Sequence, residues 1–487
     1  MTEEKNGERG SEMKWKLLPL AVVAVLVSGC AVGPDYKRPD VAVPAQWQDA
    51  GRWKPAQPQD LAKRGRWWLI YHDPVLDDLE SRVAISNQTV KQAEAQYRAA
   101  NALLDAAMAG FLPTITGNVG STTTQSATTM YAPKNANTLD KLSLSASWTA
   151  DVWGKLRRAA EQQQDTADSD QAAIQAALLS AQATLAESYL QLRALDGDMR
   201  MLQQTVAADQ HTLTVTQNLY QSGVDTRQDV EQATSQLQSV QAQLIDLGVQ
   251  RRQFEDAIAL LVGQPASGFR ITAVQTVPDV PDMPLTVPST LLEHRPDIAV
   301  AERQVAAANA GIGVAQAAFF PSLTLSASNG YQGTSFPSLI SVPNHFWSVG
   351  PSVAATLFDG GVLLAQKHQA VALWEASVAN YRQTVLTGFE QVENDLASLA
   401  VLEQEARVQW QAVVSARRAR DVAENQYEAG TVNYLVVLTA DIAELAAEKA
   451  WNDIQGRRLV ASATLVTDLG AGWQGLPARP HSLFMPD

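Results

Sequence analysis

The chain has a single cysteine, Cys30, among its 487 residues. A lone cysteine excludes an internal disulfide framework. Positive charge is in the minority: 37 Lys and Arg stand against 51 Asp and Glu, a net charge of −14. A nucleic-acid binder carries the opposite sign, so nucleic acid is set aside as a partner. Histidine is scarce. The six present (His72, His211, His294, His345, His368 and His481) show no metal-ligand spacing. There is no phosphate-binding loop and no complete dinucleotide fingerprint. Gly311-Ile312-Gly313 follows a helical run rather than a strand, and reads as packing. No catalytic constellation appears, so an enzyme is not expected and no cofactor is called for.

What is present begins with a targeting segment, residues 1–29. Lys14 and Lys16 precede an apolar stretch, Leu17 to Val27, that is too short for a comfortable transmembrane helix. Val27-Ser28-Gly29 then leads into Cys30. This resembles a lipobox, in which the chain is cut before the cysteine and the sulfur carries a diacylglycerol. An ordinary signal peptide with a chance cysteine is the alternative. Residue 31 is alanine rather than aspartate, which favours the outer membrane. Anchoring takes more than one acyl chain, which a triacylated Cys30 would supply. Residues 1–12 are polar and acidic, and Met13 is a second candidate start.

The rest is a tandem repeat. At a shift of 207 residues, Gly154 meets Gly361, Leu192 meets Leu399, Gly223 meets Gly430 and Gly263 meets Gly470. Tyr220 meets Tyr427. Upstream the shift is 208: Ala93-Glu94 meets Ala301-Glu302, and Phe111-Leu112-Pro113 meets Phe319-Phe320-Pro321. Residues 85–263 and 294–470 are two copies of one unit. Residues 30–84 precede them, a proline-bearing linker (264–293) joins them, and a tail (471–487) follows.

Each copy predicts a helix, two strands, a very long helix and a further helix. In the first copy Leu178, Leu185, Leu192, Met199, Val206, Leu213 and Tyr220 recur every seven residues, a coiled-coil seam. The long helices are expected at 155–221 and 361–428, and the second helices at 227–262 and 434–468. The seam of 227–262 is apolar except at Arg251. A shorter helix, from about Ile85 to Gly110, precedes the first strand. The two shorter helices together match the long one, and so should stack end to end beside it.

Strands are expected at 113–130, 140–152, 321–335 and 347–358. Leu142, Leu144, Ala146 and Trp148 alternate with Ser143, Ser145, Ser147 and Thr149. This is the apolar-out, polar-in pattern of a transmembrane strand; a hairpin capping a coiled coil is the plainer alternative. Four strands cannot close a barrel, and an open edge in lipid leaves backbone groups unpaired. Three chains would give twelve strands around a pore.

These features together resemble the TolC-like outer-membrane factors of tripartite efflux pumps, and within them the lipidated OprM/NodT group. The matching segments are Gly33-Pro34-Asp35-Tyr36 after Cys30, Trp67-Trp68, Asp73-Pro74-Val75-Leu76, Arg295-Pro296-Asp297-Ile298, Ala317-Ala318-Phe319-Phe320-Pro321, Asn433-Tyr434-Leu435 and Leu469-Gly470-Ala471-Gly472-Trp473. The resemblance implies a mainly α fold with transmembrane β-structure. It implies a homotrimer with a twelve-stranded barrel in outer-membrane lipid, continuous with a periplasmic α-helical barrel and an equatorial collar. The implied partners are a periplasmic adaptor and an inner-membrane transporter of the resistance-nodulation-division type. The implied function is passive efflux of small molecules. A duct for type I protein secretion and a non-channel periplasmic lipoprotein are the alternatives.

In this family the hairpin tips close the tunnel and meet the adaptor. Here the tips carry Gly223 with Asp225, Arg227 and Asp229, and Gly430 with Tyr434 and, further on, Asp441. Threefold symmetry would turn each carboxylate into a ring that favours cations. Asp225 and Asp229 also suit a helix start through its dipole. An aspartate expected after Tyr434-Leu435 is absent; Thr439 stands there. Replacing Asp229 or Asp441 with alanine is expected to raise pore conductance.

Overall fold

The structure is a computed structural model. It describes residues 31–44, 47, 54–55, 64–125, 136–273, 278–281, 284–285 and 294–471. Cys30 lies outside them, as do the end of the strand expected to reach residue 130 and the tail after Ala471.

A 3₁₀ turn at Arg64–Tyr71 leads into α1 (Pro74–Ser86) and α2 (Gln88–Ala109). Strands β2 (Thr114–Gln125) and β3 (Ala136–Ala150) follow, then α3 (Lys155–Gln221) and α4 (Arg227–Leu261). The second copy runs α5 (Pro296–Ala317), β5 (Ser322–Gly333), β6 (His345–Ala354), α6 (Val362–Glu428) and α7 (Tyr434–Asp468). Two-residue strands β1 (Lys54–Pro55) and β4 (Pro284–Leu285) pair in parallel, joining the N-terminal segment to the linker. The helix expected from about Ile85 begins at Gln88, and α1 precedes it as a further helix. Asn87 separates the two, because its side chain accepts from the backbone N–H of Thr89 and Val90 and so caps α2.

At 67 residues each, α3 and α6 are about 100 Å long. The shorter helices stack end to end beside them. Where α4 ends against α2, Ser86 Oγ donates to the Val262 carbonyl and Asn87 Nδ2 to the Leu261 carbonyl. Where α7 ends against α5, Arg295 Nη1 donates to the Asp468 carbonyl at 3.1 Å. Gly263 and Gly470 hold positive φ at these two joints.

Four strands form one antiparallel sheet in the order β2-β3-β5-β6. The register sorts side chains by face. Ile115, Ala146, Ala327 and Val349 form one row; Trp148, Leu325 and Pro351 form the next. The opposite face carries Thr116, Ser145, Ser328 and Ser348 in line, with the last two hydroxyls 2.9 Å apart. The apolar face is uncovered: Ile115, Val119, Leu144, Trp347 and Val349 are all exposed. Strands β2 and β6 each have one unpaired edge.

Aromatic side chains gather where sheet meets helices. Trp148 Nε1 donates to the Phe111 carbonyl, Trp153 Nε1 to that of Pro321, and Trp153 stacks on Phe320 at 4.8 Å. The N-terminal segment begins here and runs down the helices. Val32 N donates to the Trp153 carbonyl at 3.1 Å. Arg158 Nη2 donates to Asp35 at 2.7 Å, Tyr36 Oη to Glu302 at 2.6 Å and Arg38 Nε to Tyr381 Oη at 3.1 Å. Trp47 then packs on Phe389. The close crossing explains both glycines: a side chain on Gly33 would come 2.5 Å from the Gly313 Cα, and one on Gly313 would come 2.8 Å from Arg158 Cγ.

A collar forms midway along the helices. Trp67, Trp68, Tyr71, Leu76, Leu79 and Val83 cover Leu185, Tyr189 and Leu192 of α3, with Ile258 and Leu459. Charged residues are buried in this collar. Arg193 is fully buried; it donates to Tyr189 Oη, Asp196 and the Thr272 carbonyl. Arg251, the break in the α4 seam, donates to Asp196 at 2.8 Å, to Glu255 at 2.6 Å and to the Ile271 carbonyl. These arginines tie the linker to α3, and each is matched by an acidic partner, as burial demands.

Candidate functional site: the helix-hairpin tips

Both tips turn by the same backbone device. In the first, Gly223 (φ 79°) follows α3, and Val224 N donates to the Leu219 carbonyl at 2.9 Å. In the second, Gly430 (φ 67°) follows α6, and Thr431 N donates to the Gln426 carbonyl at 2.9 Å. These are left-handed helix stops that satisfy the last carbonyls.

The side chains then differ. Thr226 caps α4 and forms a reciprocal capping box with Asp229: Thr226 N and Oγ1 donate to Asp229 Oδ2, while Asp229 N donates to Thr226 Oγ1. Asp229 therefore acts at the helix start. Arg227 is solvent-exposed and pairs with Glu231 at 3.5 Å. Asp225 faces the other hairpin, where Tyr427 Oη donates to its Oδ2 at 2.6 Å. Tyr427 also lies 3.3 Å from Thr216 Oγ1. Burial, helped by the bond to Asp225, pushes the Tyr427 phenol up to about 12.

Tyr434 is one of the gate or adaptor-contact candidates at the second tip. It is buried, 1% exposed, and packs with Tyr427, Leu213, Leu237 and Val437 between the hairpins. As the first residue of α7 it points into the seam, where an aromatic ring fills the space. Asp441 is also drawn in: Arg420 Nε donates to it at 3.2 Å, and Arg420 pairs with Glu424 at 3.0 Å. Burial raises the Asp441 carboxyl, while Arg420 opposes that rise. Across from it, Asp209 of α3 is buried. Burial, with the nearby charge of Asp441, pushes its carboxyl up to about 6.

The structure thus brings Asp225, Tyr434 and Asp441 toward one seam and leaves Arg227 and Asp229 on the first tip's surface. Tyr427, Arg420 and Asp209 were missed from sequence. Asp209 had a signal: Leu195, Leu202, Asp209 and Thr216 recur every seven residues and are all buried. Among the described residues no group of His, Cys, Asp and Glu side chains is arranged to hold a metal ion.

A family model described as outer membrane efflux protein matches residues 79–264 and 287–471. The pyoverdine export outer membrane protein OpmQ of Pseudomonas aeruginosa is 31% identical over 474 residues, covering 95% of this chain and 98% of that one. The toluene efflux pump outer membrane protein TtgF of Pseudomonas putida is 29% identical over 486 residues, covering 96% and 99%. The outer-membrane channel OprN superposes with a TM-score of 0.85 at 27% identity, over 91% of this chain and all of that one.

Proposed function

We propose, from the premise that this chain belongs to the outer membrane efflux protein family, that three copies assemble one exit duct whose periplasmic end is latched by Tyr427 and Asp225. The chain is an outer-membrane efflux channel of TolC-like fold that extends into the periplasm, and it is not an enzyme.

The observation that carries the trimer is the four-stranded sheet. It has two unpaired edges and an uncovered apolar face. In lipid each unpaired backbone group costs several kcal/mol. Pairing β6 of one chain with β2 of the next removes every edge and closes twelve strands, with the hydroxylic rows inside. A groove of about 800 Å³ between the helices is walled by Gln191, Asp198, Asp453 and Arg457 together with Leu195, Phe254 and Val401. The duct is passive; a periplasmic adaptor and an inner-membrane transporter of the resistance-nodulation-division type deliver small molecules to it. Export in the named relatives, of pyoverdine and toluene, supports small-molecule cargo over secreted protein.

The membrane anchor follows from the N-terminal segment. Val32, held to Trp153, sets the chain beside the Trp153–Phe320 stack. Aromatic girdles mark the membrane interface, so acyl chains on Cys30 enter lipid at that level.

At the tips, the Tyr427–Asp225 bond joins the two hairpins of one chain across 202 residues. Tyr427→Phe and Asp225→Asn should each raise single-channel conductance several-fold in planar bilayers, with the trimer intact by light scattering. Unchanged conductance in both variants removes the latch; a monomer in detergent, with no pore, removes the duct.

A further inference from the structure

The helices of one chain form a wall with two free sides. Toward the tips the main packing order is α4-α3-α7-α6; toward the sheet it is α2-α3-α5-α6. One side of the wall is therefore α2 and α4, and the other is α6. The strands follow the same order, β2-β3-β5-β6, so their unpaired edges lie on the same two sides.

The middle of the wall is where the two copies of the repeat meet. There α3 of the first copy packs on α5 and α7 of the second. The contact is close and polar. Asn452 Nδ2 donates to the Ala194 carbonyl at 2.8 Å and to Asp198 Oδ1 at 2.6 Å. A side chain on Gly456 would come 2.8 Å from the Ala194 Cβ. Nearer the sheet, Ser169 Oγ donates to the Val300 carbonyl at 3.3 Å, and Arg303 pairs with Asp165 at 3.8 Å. Asn452, Asp198, Ser169 and Asp165 are all buried.

The repeat supplies counterparts of these residues at the free sides. Ala194 corresponds to Val401 on α6, while Asn452 and Gly456 correspond to Ile245 and Val249 on α4. All three counterparts are apolar, and all three are exposed in the single chain: Val401 by 62%, Ile245 by 75% and Val249 by 56%. Neither Ile245 nor Val249 belongs to the α4 seam, which buries Leu237, Val240, Leu247 and Ile258 instead. Asp165 and Arg303 correspond to Ala372 and Ala95, and Ser169 to Ala376, again exposed. Small side chains at a contact let two helices approach closely. The polar groups of the internal seam are thus missing from the free sides, and apolar groups stand in their places. Exposed apolar groups at positions equivalent to a buried contact mark an interface.

We infer that α6 of one chain packs on α2 and α4 of the next as α3 packs on α5 and α7 within the chain, and that Val401 seats between Ile245 and Val249 of the partner subunit. The contact is head-to-tail, and such contacts close a ring when each step repeats the same rotation. Internal seam and apolar clasp alternate around that ring. The difference in chemistry has a physical reason. Within a chain the linker already holds the two copies together, so hydrogen bonds of modest net worth suffice there. Between chains, burial of apolar surface drives association. The inference rests on the three-chain duct and names the side chains that commit one copy to the next.

Cysteine cross-linking of the full-length chain in detergent tests the clasp. A disulfide needs Cβ atoms about 4 Å apart. Val401→Cys with Val249→Cys should give covalent dimers and trimers on a non-reducing gel after mild oxidation. Either new cysteine alone, which controls for Cys30, should give none. Val401→Asp should cut the trimer fraction several-fold by light scattering, and adding Val249→Lys should restore most of it. A trimer that cross-links neither through Val401→Cys with Val249→Cys nor through Val401→Cys with Ile245→Cys overturns the clasp and leaves the duct standing. A Val401→Asp chain that folds and stays fully trimeric overturns it too. Should that variant not fold, the cross-link alone decides. A monomeric unmodified chain overturns both the clasp and the duct.

Discussion

The two copies of the repeat share a backbone and differ in chemistry. Gly223 and Gly430 make the same turn, yet what flanks them has diverged. Asp225 stands where the second copy has Val432, and Leu213 where it has Arg420. Tyr427 is buried and donates to Asp225, whereas its counterpart Tyr220 is exposed. The same bond built the other way would join Tyr220 to Val432, whose side chain has no acceptor. Duplication therefore fixed the geometry of the hairpins. The Tyr427–Asp225 bond has no counterpart at the equivalent positions of the other copy. The collar joints tell the same story: Asn87 and Ser86 close the first with neutral hydrogen bonds, while Arg295 closes the second through Asp297 and Asp468.

The sharpest test of shared geometry is at the glycines. All four of Gly223, Gly263, Gly430 and Gly470 hold positive φ, which costs an L-residue about 1–2 kcal/mol. The tip glycines have open space around them. A side chain on Gly263 would lie 2.5 Å from the Ser86 carbonyl oxygen, and one on Gly470 would strike that of His294. Gly470→Ala and Gly263→Ala should lower the unfolding midpoint at least twice as far as Gly223→Ala and Gly430→Ala. Equal losses would show that backbone conformation alone, and not the stacking joint, explains the glycines.

Divergence is tested next by pH. Asp209 has no acidic counterpart, since Ala416 occupies its place in the second copy. Its folded-state carboxyl sits near 6, above the ordinary value near 3.9. Between those values the folded chain holds a proton that the unfolded chain has lost. Stability should thus fall as pH rises from about 4 to 6, by on the order of 2 kcal/mol, and this contribution levels off above that. Asp209→Asn should flatten most of that slope, leaving a smaller one from Asp441, whose carboxyl is also raised. A slope untouched by Asp209→Asn would place the titration elsewhere.

How much of this was legible beforehand depends on the range of the interaction. The long helices and the sheet follow from periods of seven and two, which are local. Helix α1 was not read, because its 13 residues are too short to show a sustained period. Arg251 was visible as an anomaly but not as a solution, since Asp196 meets it from another helix. Tyr427 and Asp225 are 202 residues apart, and nothing in either neighbourhood names the other. Asp229 looked like a gate carboxylate. Its spacing from Thr226 was that of a capping box, and the structure uses it so.

That box separates the two tips by the smallest margin. Thr226 and Asn433 occupy the same repeat position and both precede a helix. Thr226 makes its cap bonds, whereas the Asn433 side chain makes none. What holds the start of α7 is instead the buried Tyr434 ring. Thr226→Ala should therefore loosen the first turn of α4 by about 1 kcal/mol, while Asn433→Ala should change the first turn of α7 by less than about half of that. Amide exchange resolved over residues 227–231 and 434–438 reads both directly. A larger effect at Asn433 would mean that the second tip is capped in the assembled trimer by a contact the single chain does not make. The two hairpins would then be equivalent at their ends after all, and the asymmetry between the copies would reduce to the Tyr427–Asp225 seam.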